Sequence, residues 1–179
     1  MNPQKYLAWI DLEMTGLDLQ ADQILEIAVI VTDFNLEIVA EGPSLVIHQD
    51  PHSLQSMNNL VYQMHNDSGL LLDVSRSTMR VGDAEQQILQ FLQQYSPPGQ
   101  MPLCGNSVWQ DKFFLMRFMP KLLSFLHYRI IDVSTVKELV LGWYGQPEFK
   151  KSKNHRALAD IHESIAELQY YRQNYFVNL

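Results

Sequence analysis

The sequence predicts an α/β fold, a mixed five-stranded sheet with flanking helices. Three apolar segments, residues 6–11, 24–33 and 38–47, follow one another before any helical pattern begins. Helical spacing then alternates with two further short strand-like runs, 103–105 and 128–132. Strands first, then helices interleaved with strands, is the order of a mixed sheet covered on its faces. With 179 residues and no internal repeat or low-complexity tract, the chain reads as a single domain over 1–179.

Each element has its own signal. "ILEIAVIVTD" (24–33) is almost continuously apolar and β-branched, as a central strand should be. "DFNLE" is a short turn, so the first three strands form an antiparallel meander. Beyond "HQDPHS" the spacing turns helical to about His65, "NDSG" interrupts it, and a short helix runs to Ser75. "GDAEQQILQFLQQY" places Ile88, Leu89, Phe91, Leu92 and Tyr95 at helical spacing, with Asp83 as its expected cap. "SPPGQMP" ends that helix and "LCG" follows as a buried strand. "QDKFFLMRFM" is a helix, and "KLLSFL" resumes it after Pro120. After "YRIID", Thr135 and Glu138 have capping-box spacing at the head of a helix that ends near "GWYGQP". "KKSKN" is a basic loop, and "RALADIHESIAELQYYRQN" is a long final helix.

Composition excludes several classes. Hydrophobic residues make up 46% and charged residues 18%, an ordinary globular balance. No apolar run approaches the roughly 20 residues that cross a bilayer, and no membrane partner is expected. "MNPQKYLAW" lacks a signal-peptide core and an Arg-rich presequence. Cys104 stands alone, which rules out an internal disulfide and a thiolate zinc cluster and suggests a reducing cytoplasm. Net charge is −7. That disfavours a protein gripping long nucleic acid by its backbone, while leaving room for a short anion held by local cations.

The chemistry begins at "WIDLEMTGL". Residues i and i+2 of a strand share a face, so Asp11 and Glu13 lie side by side, and two carboxylates so placed call for a positive charge. Asp111 follows "GNSVWQ", just after the fourth strand, and Asp160 lies in "HRALAD" on the last helix. Converging at one end of the sheet, four carboxylates would make a hard oxygen cage for Mg²⁺ or Mn²⁺. Two such ions about 3.5–4 Å apart suit phosphoryl displacement. His155 precedes Asp160 by five residues, about 140° around a helix, so it belongs at the helix entrance above the acids. An imidazole there could take the proton of an attacking water. Singly these signals are ordinary: a solvated turn, a helix cap, a chance H-x4-D, a surface acid favoured by a helix dipole. Their order is what carries weight.

D-x-E, an aspartate after "GNS", and H-x4-D resemble the three motifs of the DEDDh 3′–5′ exonucleases. "WIDLEMTGLD", "AEGP", "HYRIIDVSTVKEL" and "HRALADIHESIAELQYYR" extend the resemblance, over nearly the whole chain, to the oligoribonuclease family. It implies a ribonuclease H-like fold, a homodimer, two divalent metal ions, and hydrolysis of dinucleotides and very short RNA to mononucleotides. Motif by motif, Asp11, Glu13, Asp111 and Asp160 fall on the metal ligands and His155 on the general base. Ser107, Arg129, Ser134 and Thr135 fall on residues capping the substrate's 5′-phosphate. The location of Ser134 and Thr135 at a helix N-terminus, with Arg129 on the preceding strand, suits an anion, although hydroxyl capping alone would explain the serine and threonine. Tyr128 would reach in from the partner subunit. Leu17 falls on a base-contacting residue. Leu60 stands where the family commonly carries a tryptophan wedged against a base, a departure that touches stacking and leaves the chemistry alone.

Other features take plainer readings. His162-Glu163 opens an H-E pair, but Ala166 stands where H-E-x-x-H needs its second histidine. Cys104 reads as core. His48, His52, His65 and His127 read as loop or packing residues. Tyr170, Tyr171, Tyr175 and Phe176 read as packing or dimer contacts. Two rival functions stand beside the exoribonuclease: a general or DNA-proofreading exonuclease, and a catalytically silent nucleic-acid-binding protein. The first fits poorly with the net acidity, and the second has no use for paired carboxylates.

Overall fold

The sheet is built outward from the strand that carries the paired acids. In the computed structural model, which describes residues 5–55, 57–145, 149, 150 and 155–176, strand β1 (Tyr6–Met14) lies at its centre. β2 (Ile24–Asp33) and β3 (Ile38–Val46) extend it antiparallel on one side, as the expected meander. β4 (Pro102–Gly105) and β5 (His127–Asp132) extend it parallel on the other, giving the order β3-β2-β1-β4-β5. The parallel strands β1, β4 and β5 therefore end at the same edge.

Eight helices connect and cover these strands among the described residues: α1 (Pro51–Gln55), α2 (Asn59–Asp67), α3 (Leu70–Arg76), α4 (Val81–Leu92), α5 (Trp109–Phe118), α6 (Pro120–Phe125), α7 (Val133–Tyr144) and α8 (Ala157–Tyr175). Strand alternation divides the core. Ala8, Ile10 and Leu12 of β1, with Ile27 and Val29 of β2, pack against Ile88 of α4, Leu115 of α5 and Leu122 of α6. Leu7 and Trp9, with Ala28 and Ile30, face Val140 of α7 and Ile161 and Ile165 of α8. Asp11 and Glu13 continue the second row, so their face is the one α8 covers.

Three expectations are corrected. β1 runs on to Met14, past the expected end at residue 11, so the acids lie within a paired strand rather than at its terminus. Pairing with β2 gives these polar residues backbone partners, which the apolar pattern alone did not foresee. Asp83 sits inside the first turn of α4, where Arg80 holds the cap position without a side-chain bond. Likewise α7 starts at Val133, and Asp132 caps it by accepting the Ser134 N–H at 3.0 Å. Thr135 therefore lies within the first turn. The basic loop falls largely on 151–154, outside the described residues.

Candidate active site

Three acids meet where β1 passes under α8. Asp11, Glu13 and Asp160 each bring a carboxylate oxygen to a common point, these oxygens lying within 4.8 Å of one another. Asp160 arrives there because it is the fourth residue of α8, on the turn that crosses β1. Asp111 stands alongside that group. It is nearly buried at the start of α5, and its Oδ1 accepts the Leu12 N–H at 3.1 Å. It exerts the largest charge effect on Asp11. The expected four-acid convergence thus takes the form of a tight trio with a fourth carboxylate beside it.

The electrostatics are strained in one direction. Burial, then the charges of Asp111, Glu13 and Asp160, raises the Asp11 carboxyl well above the usual carboxylate range. Burial first, then Asp160 and Glu26, lifts Glu13 to about 8, and Glu13 and Asp160 share a hydrogen bond. Burial lifts Asp111 to about 7, against the lowering effect of its backbone hydrogen bonds. Without a cation the group retains protons near neutrality. A hard divalent cation fits this donor set, since it replaces those protons and prefers carboxylate oxygen.

His65 forms an adjoining wall. Its fully buried ring donates from Nε2 to the Met14 carbonyl at 2.8 Å, which leaves Nδ1 as the acceptor, 3.8 Å from Glu13. Burial lowers its basicity, partly offset by the Met14 bond. It is packing, as read from sequence, yet packing against a candidate ligand. The β1–β2 register shifts between Glu13 and Met14, and such irregularities re-aim strands at functional sites.

His155 stands two residues before α8 with φ 48°, and Ser107 has φ 49°. Left-handed backbone costs such residues about 1–3 kcal/mol and persists only where the surroundings impose it. His155 lines a hollow of about 950 Å³ with Arg156, Ala159, the α2 residues Leu60, Gln63, Met64 and Asp67, and Ser68 just beyond that helix. Leu60 is 80% exposed at that hollow, whereas Tyr62 is exposed but not part of its lining. Leu17, also exposed, lines a second hollow with Leu19, Trp109 and Phe113. Its loop is folded on Asp22, which accepts from Thr15 Oγ1 at 2.7 Å and Asp18 N at 2.8 Å. A Cβ at Gly16 would strike that carboxylate.

Ser107 and Ser134 do come together, Oγ to Oγ at 3.1 Å. The bonds between them are organised by Asp132, whose Oδ1 accepts both the Ser107 and the Ser134 N–H. The Ser134 amide is therefore engaged, and the expectation of a free helix N-terminus there is corrected. The hydroxyls, the exposed Thr135 and the exposed Arg129 remain. Arg129 lies over the ring of Tyr128, 5.3 Å from its centroid, and Tyr128 is 71% exposed. Behind Ser134, Asn106 accepts its hydroxyl and donates to Ser164 and Glu167 of α8. Sequence reasoning missed Asp132, although an aspartate at the end of a strand and before "VST" is itself a cap signal.

Comparison with known proteins agrees with this geometry. Residues 8–168 match the RNase T family, described as exonuclease. The chain is 51% identical to the oligoribonuclease of Dichelobacter nodosus over 178 residues, 99% of each chain. It is 53% identical to the mitochondrial oligoribonuclease of Homo sapiens, covering 95% of this chain and 73% of that one. Its fold is that of exonuclease I. The E. coli enzyme, solved with a 5cy-dT13 oligonucleotide, superposes with TM-score 0.69 at 14% identity over 96% of this chain and 41% of that one. The Methylocaldum szegediense enzyme gives 0.64 at 17% identity over the same shares.

Proposed function

The chain belongs to the RNase T family of exonucleases, and on that footing we propose that it is a 3′–5′ exoribonuclease that hydrolyses dinucleotides and very short RNA to nucleoside 5′-monophosphates. The observation that carries the reading is the trio Asp11, Glu13 and Asp160, close together and short of positive charge, with Glu13 buried and the other two half-buried. Asp11, Glu13, Asp111 and Asp160 are assigned as ligands of two divalent ions, Mg²⁺ or Mn²⁺. Such ions supply Lewis-acid stabilisation of the attacking and leaving oxygens.

The chain's own residues do the rest. His155 takes a proton as the water oxygen bonds to phosphorus, and the bond from phosphorus to the 3′-oxygen breaks. The leaving 3′-oxygen gains a proton, and the terminal nucleotide departs with its 5′-phosphate. Leu17 and Leu60 hold the bases apolarly. The Ser107 and Ser134 hydroxyls, Thr135 and Arg129 hold the substrate's 5′-phosphate and close the site to longer chains. Tyr128, exposed on one protomer, completes the site of its partner in a homodimer. Cytoplasmic residence belongs to the same proposal, on the strength of the lone buried Cys104. No described helix is long and apolar enough to cross a membrane.

Incubation with Mn²⁺ and a 5′-phosphorylated dinucleotide, a ten-mer RNA or single-stranded DNA tests this. The dinucleotide should be consumed fastest, with 5′-monophosphates as product. Preference for DNA would favour a proofreading enzyme, and no cleavage of any substrate a silent binding protein.

A further inference from the structure

Arg156 follows His155 and is the first residue of the chain, after that left-handed position, to be anchored. It reaches down to Glu26 on β2, donating from Nε at 3.3 and 3.2 Å to the two carboxylate oxygens and from Nη2 at 2.9 Å. It reaches outward to Asp73 on α3, donating from Nη1 at 3.0 Å. Glu26 is 1% exposed, and its Oε2 also accepts the Ala157 N–H at 3.1 Å. Glu26 stands directly opposite Glu13 in the β1–β2 register. One carboxylate therefore fixes the start of α8 from below while sitting beside a metal-ligand candidate.

Arg156 holds the cap position of α8 but makes no side-chain cap bond, so the helix entrance owes its place to Glu26. His155 has no helical bonding to hold it, and its φ of 48° must be imposed from outside. Asp160 is better secured, since its N–H bonds to the Arg156 carbonyl at 3.0 Å and its carbonyl accepts from Ser164 Oγ at 2.8 Å. The outer arm to Asp73 ties His155's segment to the α2–α3 unit, and α2 forms the facing wall of the hollow. A bidentate guanidinium bond restricts angle as well as distance, which an ammonium cannot do.

We infer that Arg156, held between Glu26 and Asp73, is a positioning residue that fixes His155 against the hollow where the substrate lies. The inference rests on the reading of His155 as general base. Arg156 touches no reacting atom in this account. It acts on the proton-transfer step, while the carboxylates bind ions without it.

The test is a double-mutant cycle on Mn²⁺-dependent cleavage of a 5′-phosphorylated dinucleotide. Arg156→Ala should lower kcat about 10–100-fold, the usual cost of losing an orienting partner. KM and calorimetric Mn²⁺ affinity should stay within about threefold. Arg156→Lys should rescue only part of the loss. Asp73→Asn, which alters only the partly exposed outer arm and leaves the fold in place, should lower kcat in the same sense by a smaller factor. In a His155→Ala background neither substitution should slow the enzyme further, because the group they position is gone. A His155→Ala enzyme that is slow, and that Arg156→Ala and Asp73→Asn slow again by their full single-mutant factors, overturns the positioning role and leaves the base assignment standing. A His155→Ala enzyme as fast as wild type overturns the base assignment, and the inference with it.

Discussion

Asp11 shows what each residue costs and supplies. Its carboxyl is driven upward by burial and by four neighbouring acids, which is a poor place for a charge and a good one for a cation. The sign of the resulting pH dependence follows. An acid whose folded pKa is raised keeps its proton longer in the folded chain. The stability penalty is absent below the unfolded value near 4. It grows as pH rises and is complete above about 8 for Glu13 and about 7 for Asp111. The metal-free protein should thus melt at progressively lower temperature from pH 5 to 8, and Mn²⁺ should restore it most at the high end. Scanning calorimetry checks this; a metal-free melting temperature that climbs over that window would refute it. Asp11→Asn should abolish turnover yet raise the metal-free melting temperature at pH 8. In a chain of this size each 1 kcal/mol of relief raises melting by roughly 2–4 °C. His155→Ala should cost about 10²–10⁴-fold in rate with Mn²⁺ affinity kept, as calorimetric titration of ion into the variant will show. The acids were legible because their spacings are local or ordered along the chain. His65 and Asp132 were not, since what matters in each is contact, with Met14 and Glu13 for one and with Ser107 for the other.

At the scale of elements, strands and helices were read closely where one force decides. β2 is buried along almost its full length, and apolarity alone delimits it at residues 24–33. Helix starts were read less well. α4 and α7 each begin before the polar residue assigned to cap them, because cap choice depends on backbone turn geometry rather than residue type. α2 brings Leu60 to the hollow shared with His155 and turns Tyr62 away from its lining. In the proposed site a leucine there packs on a base without offering a π-face. Leu60→Trp should tighten dinucleotide binding in Ca²⁺ by about 1 kcal/mol, roughly fivefold, with kcat nearly unchanged. Purine dinucleotides should gain most. Fluorescence titration decides the point: unaltered affinity in both Leu60→Trp and Leu60→Ala, with loss in Tyr62→Ala, would move the base contact off Leu60.

Over the whole molecule, charge and exposed apolar surface shape the partners. Net charge −7 disfavours extended nucleic acid and leaves short anions that local cations can hold. Trp109, Phe113 and Met116 of α5 and Tyr128 of β5 are all exposed in the single chain. Apolar exposure of this kind accords with the proposed homodimer. Light scattering should give twice the mass of one chain at assay concentration, and a fully active monomer would reject the shared site. The molecule's topology explains why distant motifs cooperate: β1, β4 and β5 run parallel and end together, and α8 returns across β1. The sequence order of the motifs hinted at that convergence, while the tight trio with Asp111 beside it emerged only in three dimensions. The most direct test of the account is diffraction from crystals soaked in Mn²⁺, recorded at its absorption edge. An anomalous peak within coordination distance of Asp11, Glu13 and Asp160 is the predicted result. Saturating Mn²⁺ with no peak among those carboxylates would contradict it.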